Sequence, residues 1–382
     1  MALISWTHAG GTIIVPASAG RGQRSGQYRV SLADQVRAEA DMTNRGPASL
    51  AQSARLVLAA MLLLPGCGAA VAPGTQGQQS ATGTAVQPAT SASLPSFSHI
   101  FIILMENKSY SDIIGSEAAP YLNQLAQTYA VAAQYYGVRH PSLPNYLVLI
   151  SGSTQGETTD CSTCAYNAPN LADEFAARGK TWRAYNEDLP YPCYNDAYAG
   201  GILARLGLAG YARRHNPWMY FQSVTSDPAR CSQVVPLSQF YKDLQQEQLP
   251  DFAWITPNLQ HDMHNGSVPD GDRWLASFVP MILASPAWKD NGLLLIVWDE
   301  GTDNASCCNG AAVGGRTLAL IISPSGKPGY HSEIPYTHYN LLRTIEQAWG
   351  LGYLGETAGF QPMADFFVTL PHQGLIPDSG KQ

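Results

Sequence analysis

A few short clusters hold the side chains that could do chemistry: Glu106-Asn107, the stretch from Arg139 to Asn145, Asp262-Met263-His264 and Asp299-Glu300. Carboxylates, amides, imidazoles and a hydroxyl in this company suit a serine nucleophile working beside a cation. Pro141 and Pro144 bracket Ser142 and fix φ on both sides of it. Leu143, preceding a proline, is biased toward extended backbone. A helix that begins near Pro144 loses nothing by the missing N–H. Its orphan backbone N–H groups would place Ser142 in a field that favours a bound anion. Asn145, three residues on, adds a side-chain N–H. This is how a chain presents a hydroxyl to a phosphate.

These residues need elements to carry them. Ser98 to Met105 is a largely apolar run that ends in Glu106-Asn107, and it reads as a buried strand of a mostly parallel sheet. Phe252 to Thr256 and Leu293 to Trp298 are similar runs, followed by Asp262-x-His264 and by Asp299-Glu300. Val131 to Gly137, Thr181 to Tyr185 and Thr317 to Ser323 read as further strands. Helical spacing runs over 119–129, 171–179, 237–244, 273–284 and 338–350, the last opening on Thr337-His338-Tyr339. Strands alternate with helices, so the expected class is α/β, a mostly parallel central sheet flanked by helices. In such sheets ligands gather at the carboxyl ends of strands. Carboxylates meeting there repel one another unless a cation sits among them. Residues 187–235, rich in Pro, Tyr and Cys with the cluster His215-Asn216-Pro217-Trp218, read as an insertion covering one side of the site.

Of the 382 residues only 13% are charged, the net charge is −7, and no basic run occurs. That argues against nucleic acid as a partner. Residues 1–41 show no periodicity and read as a misassigned or disordered start. Residues 42–67 read as an export signal, with a basic flank and the apolar run Leu56–Leu64 closing on Leu64-Pro65-Gly66-Cys67. That ending is similar to a lipoprotein cleavage box, with Cys67 as the lipidated residue and membrane attachment through it. An ordinary signal peptide with a fortuitous cysteine is the alternative. The expectation is an exported protein, either a cell-envelope lipoprotein or secreted. Residues 68–96 are an uncharged flexible tether, and 97–370 form the catalytic domain. After Cys67 the cysteines are Cys161, Cys164, Cys193, Cys231, Cys307 and Cys308, a disulfide pattern for an exported chain. Cys161 with Cys164 and Cys193 with Cys231 are the expected bridges. Cys307-Cys308 could be vicinal or take separate partners. A zinc site at the CxxC is the alternative there, without a second CxxC or nearby histidine to support it.

Taken together, Met105-Glu106-Asn107, His140-Pro-Ser142-Leu-Pro144-Asn145, Asp262-Met-His264, Gly271-Asp272-Arg-Trp274, Trp298-Asp299-Glu300-Gly301 and Thr337-His338-Tyr339 resemble the bacterial and fungal phosphoesterase family. That family holds acid phosphatases and phospholipases C and belongs to the alkaline phosphatase superfamily. The order and spacing are most similar to secreted acid phosphatases of the mycobacterial type, over about residues 97–355. The resemblance implies an alkaline-phosphatase-like fold, a phosphoric ester substrate, and a divalent metal ion whose identity it leaves open. It implies Ser142 as nucleophile, with Glu106, Asn107, Asp299, Glu300 and Ser142 as metal ligands. Asn145, Asp262 and His140 would contact substrate, and His264 or His338 would move the proton. His261 stands where related sequences often carry Asn, and its role is open.

The implied chemistry is two-step phosphoryl transfer through a phosphoserine. A phospholipase C cutting a lipid phosphodiester on the same residues is the nearest rival. A Ser–His–Asp acyl hydrolase lacks its Gly-x-Ser-x-Gly elbow here. A non-catalytic surface binding lipoprotein would not need every ligand position filled.

Overall fold

The structure is a computed structural model that describes residues 94–202, 206 and 210–368. The expected export signal with Cys67, most of the expected tether and residues 369–382 lie outside the described residues. The chain divides into Met1–Thr84 and Ala85–Gln382, and all described residues belong to the second unit.

The strands are β1 (Ile100–Met105), β2 (Ala130–Tyr136), β3 (Trp182–Asn186), β4 (Val234–Pro236), β5 (Phe252–Thr256), β6 (Leu293–Trp298), β7 (Arg316–Ile322) and the short β8 (His331–Ser332) and β9 (Tyr336–Thr337). They form one sheet in the order β8-β2-β7-β6-β1-β5-β3-β4, with β9 also paired to β2. β1 is parallel to both β5 and β6, and β7 is antiparallel to its neighbours β2 and β6. The expected mostly parallel α/β sheet is therefore present.

The apolar strands are apolar on both faces because both faces are covered. Ile100, Ile102 and Leu104 of β1 join one buried cluster, and Phe101, Ile103 and Met105 join the other. On the first face lie α2 (Ser142–Ser151), α3 (Leu171–Arg178) and α6 (His338–Trp349). On the second lie α1 (Pro120–Thr128), α4 (Ser238–Gln245) and α5 (Val268–Ala284). Each fully buried large apolar side chain contributes roughly 1.5–3 kcal/mol.

α2 is buried along its whole length and stops at Gly152, whose φ of 65° is left-handed. A Cβ at Gly152 would meet the Leu354 carbonyl oxygen at 2.0 Å, so the residue must be glycine twice over. Two helix starts differ from expectation. α2 begins at Ser142 rather than near Pro144, because the first turn needs no N–H from residue 144 and the Asp160 carboxylate accepts the Leu143 N–H at 3.0 Å. α5 begins at Val268, where Ser267 and Asp270 cap each other.

The bridges Cys161–Cys164 and Cys193–Cys231 form as expected, and Cys307–Cys308 is vicinal. The Cys193–Cys231 bridge pins the segment between β3 and β4. Among the described residues no helix is long and apolar enough to cross a membrane.

Candidate active site

β1, β5 and β6 are adjacent, and their carboxyl ends line up, with Ile103 beside Ile255 and Met105 beside Trp298. Glu106 and Asp299 follow β1 and β6 directly, and the Asp299 N–H donates to the Met105 carbonyl at 3.1 Å. Asp262 reaches the same place by a loop, where its carbonyl accepts the Glu106 N–H at 2.8 Å. Asn107 and Met263 both take left-handed backbone, with φ of 40° and 78°. Such residues cost about 1–3 kcal/mol each and are held only by their surroundings. Here Lys108 holds them: its Nζ donates to the carbonyls of Asn107 at 3.1 Å and Met263 at 2.9 Å.

Glu106 is the hub. Its Oε2 accepts the Ser142 hydroxyl at 2.9 Å. The amide end of Asn107 lies 2.6 Å from that oxygen and 3.1 Å from Asp299 Oδ1. The Ser142 hydroxyl also lies close enough to Asp299 to help lower that carboxyl's pKa against the effect of burial. The other Glu106 oxygen, Oε1, accepts a short hydrogen bond from Tyr146 and stands 3.3 Å from His215 Nε2. His215 Nδ1 is 3.1 Å from Asp262 Oδ2, and the His264 N–H donates to Asp262 Oδ1 at 2.7 Å. Glu300 completes the acidic end, with Oε2 2.9 Å from His140 Nδ1.

The electrostatics are those of an uncompensated site. Burial, then repulsion from Asp299 and Asp262, pushes the Glu106 carboxyl well above its usual range. Burial does the same to Asp262, and lifts Asp299 to about 6. Burial and the Asp299 charge push Glu300 up to about 10. A cation resolves this conflict, and the donor set fits one. With its amide oxygen turned inward, Asn107 stands with Glu106 Oε2 and Asp299 Oδ1, and the Ser142 hydroxyl joins them through Glu106, the kind of oxygen-rich set a hard divalent ion takes. Glu106, His215 and His264 offer a second group of ligand atoms, all within 4.8 Å of one another.

Asn145 is fully buried, and its amide shapes the loop before Ser142. Its Oδ1 accepts the N–H groups of Val138 at 2.7 Å and Arg139 at 3.1 Å, and its Nδ2 donates to the Arg139 carbonyl at 2.7 Å. Nδ2 also stands 3.4 Å from Glu300 Oε2, which keeps it at the edge of the acidic end. His140 is exposed and stands between Glu300 and the Asp303 carbonyl.

His338 departs from expectation. It is fully buried, with Nδ1 2.8 Å from the Tyr135 hydroxyl and Nε2 2.5 Å from the Asp299 carbonyl. An N–H on Nε2 and an accepted hydroxyl on Nδ1 leave neither nitrogen for substrate. Burial holds the ring neutral, with its pKa lowered to about 4. His338 thus braces the Asp299 backbone, while His264, nearer Asp262, has its Nδ1 against the Asn265 amide oxygen and its Nε2 3.3 Å from Arg214 Nη2. His261, left open by the sequence, pairs with Glu187 at 2.9 Å and stacks on Trp274, away from Ser142's contacts.

The sequence does not mark Tyr146, Asp160 or Arg214 as site residues, and it places His215 only in the covering segment. Tyr146 follows Ser142 by one helical turn, a spacing that puts both on one face. His215 arrives from the segment between β3 and β4, which places a residue inside the site as well as covering it. The stack of Trp218 on Trp182, with centroids 4.2 Å apart, anchors that segment against the sheet.

Residues 116–352 match the model of the phosphoesterase family. A phosphatidylinositol-3-phosphatase of Mycobacterium tuberculosis is 36% identical over 279 residues, 72% of this chain and 85% of that protein. A phosphate-repressible acid phosphatase of Penicillium chrysogenum is 30% identical over 279 residues, and the match spans 64% of its length. A solved protein in the alkaline phosphatase superfamily from Vibrio parahaemolyticus aligns over 69% of each chain at 14% identity, with a TM-score of 0.48. The match to residues 116–352 and the mycobacterial relative settle the family: this chain belongs to the phosphoesterase family and is a phosphoric ester hydrolase.

Proposed function

We propose that the protein is an exported, metal-dependent acid phosphatase that hydrolyses phosphomonoesters through a phosphoserine on Ser142. The carrying observation is the Ser142 hydroxyl at the head of a buried helix, bonded to Glu106 Oε2 beside Asp299 and Asn107. Glu106, Asn107, Asp299, Glu300 and Ser142 hold the divalent ion. When bound, that ion lowers the proton affinity of the serine oxygen and draws charge from the phosphate oxygens.

Ser142 Oγ attacks phosphorus as its proton leaves along the bond to Glu106. Asn145 and His140 flank the phosphate on the loop side, and Asp262 with His215 orients His264 on the other. His264 protonates the departing alcohol and then takes a proton from the water that cleaves the phosphoserine. Burial, with the Arg214 charge, depresses the His264 pKa, which supports a protonated acid only toward lower pH. His338 holds the Asp299 carbonyl and with it the adjoining carboxylates.

Acid quench of the enzyme with phosphate-labelled substrate should leave label on the peptide holding Ser142, and none in Ser142→Ala. Label on a histidine peptide instead would overturn the reading. Export and anchoring rest on residues 42–67. Cys67→Ser should move active protein from the membrane to the soluble fraction.

A second reading concerns the alcohol. A cavity of about 340 Å³ lined by Pro190, Tyr194 and Tyr198 lies beside Arg214, and its rings suit the apolar face of a polyol. With a relative named for a phosphatidylinositol phosphate, an inositol phospholipid monoester is the substrate that observation favours. A phospholipase C would cleave the lipid diester instead. Comparing a short-chain phosphatidylinositol 3-phosphate, p-nitrophenyl phosphate and phosphatidylcholine separates these readings.

A further inference from the structure

The contacts around Ser142 close into a ring. Ser142 meets Glu106, Glu106 meets His215, and His215 meets Asp262, which holds the His264 N–H. Arg214 Nη2 stands 3.3 Å from His264 Nε2, and Arg214 Nε stands 3.7 Å from Asp160 Oδ2. Asp160 Oδ1 accepts the Leu143 N–H at 3.0 Å, one residue past the start of the ring. The guanidinium is therefore joined to the turn that carries Ser142 through Asp160 on one side, and to the Asp262 loop through His264 on the other.

Arg214 is under-used. Its side chain is 11% exposed, and Nε is buried without a hydrogen bond. Among the described residues its other contacts are the Tyr198 hydroxyl at 3.1 Å and His264. A guanidinium forks onto oxyanions, and most of its donors here are unspent. The carboxylate nearest it is Asp160, at more than hydrogen-bond length, and that carboxylate also sits on the Leu143 N–H. An oxyanion already occupies, imperfectly, the place where a phosphate oxygen would be held.

We infer that Arg214 makes this site selective for phosphomonoesters over diesters. A monoester has three unesterified oxygens and carries more negative charge than a diester, which has two. The metal ligands and the Leu143 side of the ring serve oxygens that both kinds of ester possess. Arg214 serves the remaining one, which in a diester carries an alkyl group that cannot accept its N–H. The inference rests on the phosphoserine reading, and its test is separate from it.

Arg214→Ala and Arg214→Lys are assayed against p-nitrophenyl phosphate and bis(p-nitrophenyl) phosphate, with melting curves for both variants. For Arg214→Ala, kcat/KM on the monoester should fall by on the order of 100-fold, the worth of a charged hydrogen bond. The diester should change by less than about 5-fold, since it lacks that bond. Arg214→Lys keeps the charge without the fork, so the monoester-to-diester ratio should fall by about 10-fold. It also decides the matter if the alanine variant does not fold. Equal losses on both esters, or an unchanged ratio in the lysine variant, overturn the inference. Either result leaves the labelling of Ser142 standing, because that experiment uses the parent enzyme and Ser142→Ala.

Discussion

The two ends of β5 carry one aspartate each, and they are treated in opposite ways. Asp251, just before the strand, receives the Thr181 N–H at 2.8 Å, the Thr181 hydroxyl at 2.7 Å and Lys180 Nζ at 3.0 Å. Burial alone would raise its pKa, but these partners outweigh it and hold the carboxyl below its usual range. Asp262, beyond the other end, is fully buried, and desolvation pushes its carboxyl well above that range despite the His264 N–H. Glu106, Asp299 and Glu300 share its condition. One end of the sheet spends charge on holding itself together. The other gathers buried carboxyl groups whose charge a bound cation would satisfy, and stability is sacrificed there for chemistry.

The sharpest way to break this comparison is Asp299→Asn. Activity should drop by on the order of 10³-fold if Asp299 is the proposed metal ligand, because that ligand and its charge are lost. The melting temperature of metal-stripped protein should nonetheless rise, by about 2 °C or more, since a buried like-charge repulsion is relieved. A lower melting temperature would mean the acidic end is structural after all.

Next in size is His338→Ala, expected to cut kcat by about 10- to 100-fold with KM little changed, as a displaced supporting group does. The pH–rate profile should keep its shape, because the ring is neutral and out of reach of substrate. A lost limb in that profile would restore His338 to proton transfer.

Asp251→Ala should do the reverse of Asp299→Asn. It is partly exposed, so about 1 kcal/mol is at stake, or roughly 2–4 °C in melting temperature. Its kcat/KM should stay within about 2-fold, as a surface-end substitution touches no substrate. Activity falling in step with stability would join the two ends into one.

The smallest effect expected is at Glu346 on α6, fully buried and bonded to the Leu354 N–H at 2.8 Å. Burial pushes its carboxyl up to about 7. The folded chain thus keeps this proton to higher pH than the unfolded chain. Its contribution is complete below the ordinary glutamate pKa and is lost as pH climbs through about 7. Glu346→Gln should flatten that loss in melting curves between pH 5 and 8 while leaving kcat unchanged. An unaltered pH dependence would assign the loss to the acidic end instead.

Much of this molecule was legible in the chain. β1, β5 and β6 announce themselves because strands covered on both faces are apolar, and the polar pairs after β1 and β6 and the loop to Asp262 after β5 mark where the cover stops. Ser142 was legible from its prolines, though the helix starts at the serine itself because a side chain from position 160 caps Leu143. His215 and Arg214 were not legible as site residues. Their segment has no period of its own, and tertiary contacts bring it to the sheet end: the Cys193–Cys231 bridge, the Trp218–Trp182 stack and the Thr256 hydroxyl donated to the His215 carbonyl. His338 matched a motif, but a motif does not reveal that Tyr135 and the Asp299 carbonyl have taken both its nitrogens.

β1 lies in the middle of the sheet, and its partners come late: Ile100 pairs with Phe252 on one side and with Leu293 on the other. A nascent chain that has emerged only as far as the Ser142 helix owns a nucleophile but has neither β5 nor β6 to pair with β1, and of the site's carboxylates only Glu106. Such long-range parallel pairing is slow, since loop closure must precede any reward. The chain can therefore be synthesised almost to residue 300 before it is capable of hydrolysing anything, which leaves the producing cell's own phosphate esters out of its reach until the fold is nearly whole.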